Sequence, residues 1–138
     1  MLTEIQLLFD SGLMVLIWMI QIIVYPSFRA FSAIDLHKWH TTYTQRISFL
    51  VIPLMFGQLI LVLARIYFAF SYTVLAVLIL ILTVWAITFL QFVPLHTRIA
   101  NNRYTSKTLE ELVQFNWVRT VLWTLVFCAD LALIIVRG

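Results

Sequence analysis

Four polar side chains near the end of the sequence place an amide, a guanidinium, a hydroxyl and an indole within one apolar stretch. Asn116, Arg119, Thr120 and Trp123 have i, i+3, i+4, i+7 spacing, which puts them on one face of a helix. A guanidinium in an apolar setting suits an anionic group, or an oxygen that gains negative charge during a reaction. This face therefore predicts a binding site for an oxygen-bearing ligand.

Three further apolar stretches carry polar side chains that can complete such a site. The side chains are Trp18, Gln21 and Tyr25 in the first stretch, His40, Tyr43 and Arg46 in the second, and Thr88, Gln91 and His96 in the third. We expect Arg46 and Arg119 to bind or polarise an oxygen of the ligand. We expect His40 or His96 to transfer a proton. The side chains expected to orient the ligand or to wall its pocket are Trp18, Gln21, Tyr25, Tyr43, Gln91, Asn116 and Trp123.

A structural role is the alternative for the amides and the arginines. Amides inside membrane helices contribute roughly 1 kcal/mol each to helix association, and arginines near helix ends extend their head groups to the interface. The amides concerned are Gln21, Gln58, Gln91 and Asn116. We favour a lined pocket, because the arginines, amides, histidines and aromatic residues are expected at one depth.

Histidines suggest a second kind of site. His37 and His40 are one helical turn apart, and His96 is expected on the same side of the molecule, so three histidines could ligate a metal or two could ligate a haem. No carboxylate lies within these helix ends to complete a metal site. We therefore favour a pocket without haem or metal, and leave the cofactor open. Cys128, the only cysteine, is expected to pack in an apolar helix.

The elements that position these residues are membrane-spanning helices. The chain has 138 residues, of which 63% are hydrophobic and 11% charged, which excludes a water-soluble fold of this size. Crossing about 30 Å of hydrocarbon takes roughly 20 apolar residues. Four runs qualify, at about 5–25, 43–64, 72–92 and 112–136. We predict one all-α integral membrane domain over residues 1–138, an antiparallel bundle of four transmembrane helices.

The first run is expected to be a permanent helix and not a cleaved signal peptide. Glu4 and Asp10 stand where a signal peptide carries positive charge, and no small-residue cleavage site follows.

Local signals predict where the helices begin and end. Capping-box spacing occurs at Thr3 with Gln6, Ser32 with Asp35, and Thr108 with Glu111. Proline should end the first helix at Pro26, permit a kink in the second at Pro53, and disturb the end of the third at Pro94.

The basic residues predict the orientation of the chain. One side holds Arg29, Lys38, Arg46, Arg98, Arg103, Lys107 and Arg119, whereas the side with both termini holds only Arg65 and Arg137. The first side is therefore expected to be cytoplasmic, with both termini and the second loop opposite. Because these charges sit in short loops beside helices, the net charge of +3 does not indicate nucleic acid as a partner.

Two carboxylates and an arginine are expected at the opposite end of the bundle. Asp10 and Asp130 lie near the outer ends of the first and fourth helices, and Arg65 closes the second. We expect an ion pair or simple solvation. A proton path from these groups to the pocket is the alternative.

Several motifs carry a resemblance to a known family. The segments QFVPLHTRI, LVQFNWVRTVLW, QIIVYPSF and WH-x-x-Y-x-x-R resemble a widespread family of small, uncharacterised bacterial membrane proteins with a VP-x-H motif followed by NW-x-RT. The resemblance covers most of the chain and implies a bacterial inner-membrane protein. The architecture more distantly resembles anthrone oxygenase-like four-helix membrane proteins, some of which are implied to oxidise polycyclic phenols without a metal or flavin. None of their catalytic motifs matches residue by residue, so this likeness concerns the fold.

Three functions follow from these patterns. The preferred one is a membrane-embedded enzyme or ligand-binding protein for a small lipophilic molecule that enters from the inner leaflet. The second is a haem-binding or metal-binding membrane protein that uses His40 and His96. The third is a transport or assembly subunit without chemistry, in which the amides and arginines join copies of the chain into a homo-oligomer.

Overall fold

The protein is all-helical in a computed structural model that describes residues 1–137, and this range contains no strand. The predicted domain extends to Gly138, which lies outside the described residues. The helical segments are α1 (Leu2–Ala30), α2 (Ala33–Phe68), α3 (Tyr72–Ala100) and α4 (Ser106–Arg137). All four are long and apolar enough to cross a membrane, which confirms the prediction of four long apolar helices.

Two of the helices change type ahead of a proline. α1 comprises an α-helix Leu2–Met19, a π-helical turn Ile20–Val24, an α-helical turn Tyr25–Ser27 and a 3-10 turn Phe28–Ala30. α3 comprises an α-helix Tyr72–Ile87, a π-helical turn Thr88–Phe92 and an α-helix Val93–Ala100. A proline cannot donate to the preceding turn and its ring crowds that turn, and a wider π turn relieves the conflict. Pro94 therefore disturbs α3 as predicted. The prediction that Pro26 ends the first helix is wrong.

Of the three helix caps predicted from capping-box spacing, one is present. Ser32 caps α2, where the backbone N–H of Asp35 donates to its hydroxyl at 3.2 Å and the hydroxyl donates to the Asp35 carboxylate at 2.6 Å. α1 begins after Met1 without a side-chain cap, so the expected cap at Thr3 is wrong. α4 begins at Ser106, and Thr108 lies inside its first turn, where it accepts from the backbone N–H of Thr105.

Proline does not interrupt α2, which is α-helical from Ala33 to Phe68 with Pro53 in its interior. A close approach follows one turn later, because a Cβ at Gly57 would overlap the ring of Phe9. This glycine lets α1 and α2 pack tightly, one residue before Asp10 and Gln58.

Each helix packs chiefly against two neighbours: α1 and α3 each contact both α2 and α4. Three apolar clusters follow one another along the bundle. The cluster nearest the links 31–32 and 101–105 contains Tyr25, Phe28, Leu36, Phe92, Ile99 and Leu112; the middle one contains Leu13, Ile17, Met55, Val84 and Trp123; and the last contains Val62, Val74, Val77, Ile81 and Val126. We call the first region the basic end, after Arg29, Lys38, Arg98, Arg103 and Lys107, and the last region the Arg65 end.

Candidate functional site

A cavity of about 410 Å³ lies between α2 and α3 towards the basic end. The α2 wall includes His40, Tyr43, Thr44, Ser48, Val51 and Met55, and the α3 wall includes Thr88, Phe89, Phe92, Val93, His96 and Thr97. Tyr25 of α1 and Arg119 of α4 close the cavity from behind. Ile52, Phe89 and Val93 line it and are also exposed, so the cavity reaches the outer surface between α2 and α3.

Arg119 is a buried cation in this cavity, with only 5% of its surface exposed. Its guanidinium carbon lies 4.2 Å from the ring centre of Phe92 and 5.2 Å from that of Trp123. Within the described residues no carboxylate comes within 4.0 Å of it. Aromatic faces attract a cation but do not neutralise it. A buried charge without a counter-ion is costly, so this position suits an anionic ligand group.

A chain of hydrogen bonds lies beside Arg119. The Tyr25 hydroxyl is 3.0 Å from Nε2 of His96, and Nδ1 of His96 is 2.8 Å from Nε2 of His40. Tyr25 and His96 each follow a π turn, in α1 and α3 respectively, which sets the direction in which they leave their helices. A neutral imidazole has one donor and one acceptor nitrogen. The three groups can therefore pass a proton along by exchanging tautomers.

Tyr43 completes the polar lining, and it is 8% exposed. Its ring meets the ring of Phe28 edge to face, with 5.7 Å between centres. Tyr25 and Tyr43 both lie beside Arg119. Of the residues singled out from the sequence, the cavity thus gathers His40, His96, Arg119, Tyr25 and Tyr43.

Three of the expected site residues lie elsewhere. Arg46 is exposed on α2 and does not line the cavity. Gln91 is half-buried and also outside the lining. Trp18 is 37% exposed, and its indole donates to the hydroxyl of Thr124 at 3.1 Å.

The remaining expected residues form hydrogen bonds between helices next to the cavity. Asn116 donates to Oε1 of Gln21 at 3.0 Å, and Gln21 donates to the carbonyl of Val113 at 3.2 Å. These bonds join α1 to α4, which is the structural role considered for the amides. The Trp123 indole donates to Oε1 of Gln58 at 3.4 Å while its ring lies near Arg119.

The three histidines do not converge. His40 and His96 are hydrogen-bonded to one another, whereas His37 lines a separate cavity of about 560 Å³. No group of three or more His, Cys, Asp or Glu side chains comes together as a metal site within residues 1–137. Cys128 is exposed on α4, not packed as expected.

The Arg65 end holds a second polar cluster, which contains a buried ion pair. Arg65 donates to the Asp130 carboxylate at 2.8 and 2.9 Å and to Oε1 of Gln6 at 2.7 Å. Asp10 accepts from Gln58 at 2.7 Å. The expected ion pair is confirmed. The expectation that Gln58 shares one depth with the other amides is wrong.

Three residues of the cavity and of the Arg65 cluster were not predicted, although their helical spacing from predicted residues indicates them. Thr44 and Ser48 follow His40 by four and eight residues and line the same cavity. Gln6 precedes Asp10 by four residues and faces the same interior. The polar stripes therefore extend further along α1 and α2 than the selected residues.

Comparison with protein-family models, with curated proteins and with solved structures finds no match for this chain.

Proposed function

We propose that the chain spans a membrane as an antiparallel bundle with its basic end on the cytoplasmic side and both termini opposite. Only 17–28% of the most apolar part of each helix is buried inside the bundle, so most of its apolar surface faces outwards. An apolar outer surface with internally bonded backbone suits lipid as the surrounding medium. The bacterial inner membrane is proposed from the family resemblance and the basic residues at one end.

We propose further that the cavity binds a small lipophilic molecule bearing an acidic oxygen, such as a phenol, a hydroxyquinone or a carboxylic acid. Arg119 carries this proposal, because it is buried in a cavity and has no carboxylate partner among the described residues. The ligand enters from the lipid between α2 and α3, where the cavity reaches the outer surface. Its oxygen rests on the guanidinium and its apolar part fills the space beside Val51 and Met55.

Proton transfer at the ligand oxygen is the chemistry that this arrangement supports. Tyr25 lies beside Arg119 and is hydrogen-bonded to His96. A proton that leaves the ligand is taken up by the Tyr25 and His96 pair, while Arg119 stabilises the oxygen anion. A dry cavity strengthens both interactions. The protein is thus an acid–base enzyme or a binding protein that controls the charge of its ligand.

Binding of 2-naphthoate to the detergent-purified protein tests the proposal, with naphthalene fluorescence as the readout. Replacing Arg119→Leu should weaken binding by at least about tenfold, which corresponds to roughly 1.4 kcal/mol. Arg46→Leu is the matched control, because it removes the same charge from an exposed position outside the cavity. If the folded Arg119→Leu protein binds 2-naphthoate as tightly as wild type, the assignment fails.

A haem or metal held by His40 and His96 is the second candidate, favoured by the presence of both side chains in one cavity. Both ring nitrogens of His96 are already hydrogen-bonded, to Tyr25 and to His40, so ligation by His96 would break one of these bonds. A Soret band in the purified protein that disappears in His96→Gln would favour it over the first proposal. In the third hypothesis, an assembly subunit, Gln21 and Asn116 would not join copies of the chain, because they bond to each other within one chain.

A further inference from the structure

The hydrogen-bonded chain in the cavity points towards the surface of the basic end. Tyr25 contacts His96 and His96 contacts His40, which leaves Nδ1 of His40 buried without a hydrogen-bond partner. His37 lies one helical turn earlier on α2, and its Nδ1 is also buried and unpartnered. Side chains three residues apart on a helix are neighbours, with about 5–6 Å between their Cβ atoms. The two rings are therefore neighbours, and a water molecule between their Nδ1 atoms would satisfy both.

His37 belongs to a second cavity, of about 560 Å³, at the surface of the basic end. Its lining comes from the first turns of α2 and α4 and from the link between α3 and α4, including Lys38, Asn102, Tyr104 and Thr105. Lys38, Asn102 and Thr105 are exposed, so this cavity meets the solvent. The histidines therefore lie in a row between a cavity that opens to lipid and a cavity that opens to water.

We propose that Tyr25, His96, His40 and His37 form a proton relay between the two cavities. This inference rests on the proposed function, since it supplies the route by which the ligand's proton reaches water. No carboxylate lines either cavity within the described residues, and the charged groups facing them are Arg119 inside and Lys38 outside. The imidazoles are thus the groups there that can accept a proton on one ring nitrogen and donate one from the other.

The protons balance along the chain. The ligand oxygen gives its proton to Tyr25, while the Tyr25 hydroxyl gives its own to Nε2 of His96. His96 then passes the proton on Nδ1 to Nε2 of His40. His40 gives the proton on Nδ1 to the bridging water, the water gives one of its own to Nδ1 of His37, and His37 releases the proton on Nε2 to water in the surface cavity. One proton leaves the ligand and one enters the water, and all three imidazoles end in the opposite tautomer. Rebinding of a proton in the reverse direction restores them.

Exchange of the imidazole N–H protons with water, followed by NMR on protein labelled with ¹⁵N in histidine and tryptophan, tests the relay without any ligand. The His96 ring proton should exchange faster than the indole proton of Trp123, which is buried in the same bundle but bonded to Gln58 and off the relay. His37→Gln should slow the His96 exchange by at least about tenfold, as expected when an acid–base group leaves the path. Lys38→Met, in the same surface cavity, is the matched control.

Each outcome of this experiment either supports or overturns the proposed proton relay. Exchange at His96 no faster than at Trp123 in wild type overturns it without any variant. Equal exchange in His37→Gln and wild type, or equal slowing in Lys38→Met, also overturns it. Titration of the same variants with 2-naphthoate separates the two proposals. If His37→Gln binds 2-naphthoate normally and its exchange is unchanged, the relay fails and the proposed function stands. If wild type exchanges as expected but binds no 2-naphthoate, the proposed function fails instead.

Discussion

Two buried arginines occupy the two ends of this bundle in opposite settings. Arg65 is 2% exposed and meets the Asp130 carboxylate and the Gln6 amide at hydrogen-bond distance. Arg119 is 5% exposed and rests on the rings of Phe92 and Trp123. The first guanidinium has its charge neutralised within the chain, whereas the second faces a cavity. Burial is thus common to both arginines, and the absence of a carboxylate partner among the described residues is what makes Arg119 the candidate for ligand binding.

The largest difference should appear when each arginine is removed. Arg65→Met leaves the Asp130 carboxylate buried and unpaired, and breaking a buried pair in this way costs about 3–5 kcal/mol. Arg119→Met removes a charge that no carboxylate within the described residues neutralises, so its cost should stay below about 1 kcal/mol. Unfolding of both variants in detergent, followed by circular dichroism, measures the difference. Equal destabilisation of the two variants would contradict the expected difference between Arg65 and Arg119.

Removing both partners at the Arg65 end should restore most of the lost stability. Arg65→Met combined with Asp130→Leu replaces the ion pair by apolar side chains of similar size, which is often neutral for buried pairs. We expect the double variant to unfold within about 1–2 kcal/mol of wild type in the same assay. A double variant as unstable as Arg65→Met alone would show that the cost arises from packing and not from the unpaired carboxylate.

Substitutions that add side-chain volume should also affect stability differently at the two ends of the bundle. Gly57→Ala would push a Cβ into the Phe9 ring, and overpacking of this kind costs about 1–3 kcal/mol. Ser48→Leu instead places a larger side chain into the cavity and should leave stability within about 1 kcal/mol of wild type while weakening 2-naphthoate binding. Unfolding and titration of the two variants side by side measure both effects. A Gly57→Ala protein as stable as wild type would contradict the tight contact between α1 and α2.

The smallest expected effect concerns the amides between α1 and α4. Asn116→Ala removes the hydrogen bond to Gln21 and should cost about 0.6 kcal/mol, the mean for polar contacts between membrane helices, and no more than about 1.7 kcal/mol, their maximum. Gln114→Ala, at an exposed position on the same helix, is the control and should be neutral. Binding of 2-naphthoate should be unchanged in both. A tenfold loss of binding in Asn116→Ala would make the amide part of the site.

The sequence predicts the helices well, because apolar runs of the length needed to cross a bilayer leave few other structures. The sequence also predicts the Ser32 cap, because the cap depends only on residues three positions apart. It does not predict that α1 continues past Pro26, because a π turn absorbs the conflict that a proline creates in an α-helix. Local spacing therefore gives the elements but not the places where they change type.

The lining of the candidate site was predicted only in part, because the sequence does not show how each helix is rotated about its axis. Successive residues of an α-helix turn by about 100°. Arg46 is six residues after His40 and therefore points about 120° away from it, whereas Thr44 and Ser48 stay within about 80°. The cavity accordingly contains Thr44 and Ser48 but not Arg46. Which amide bonds to which partner depends on the neighbouring helices, and a single sequence does not show that.

Photolabelling with a small lipophilic acid tests whether the cavity between α2 and α3 binds such a ligand. A diazirine-bearing benzoic acid is irradiated with the purified protein, and the labelled residues are located by mass spectrometry. We expect labels on the cavity walls, within residues 44–55 of α2 and 88–97 of α3, which excess 2-naphthoate suppresses and Arg119→Leu abolishes. Labels spread evenly over the lipid-facing surface, or labels on these walls that persist in Arg119→Leu, would contradict this expectation.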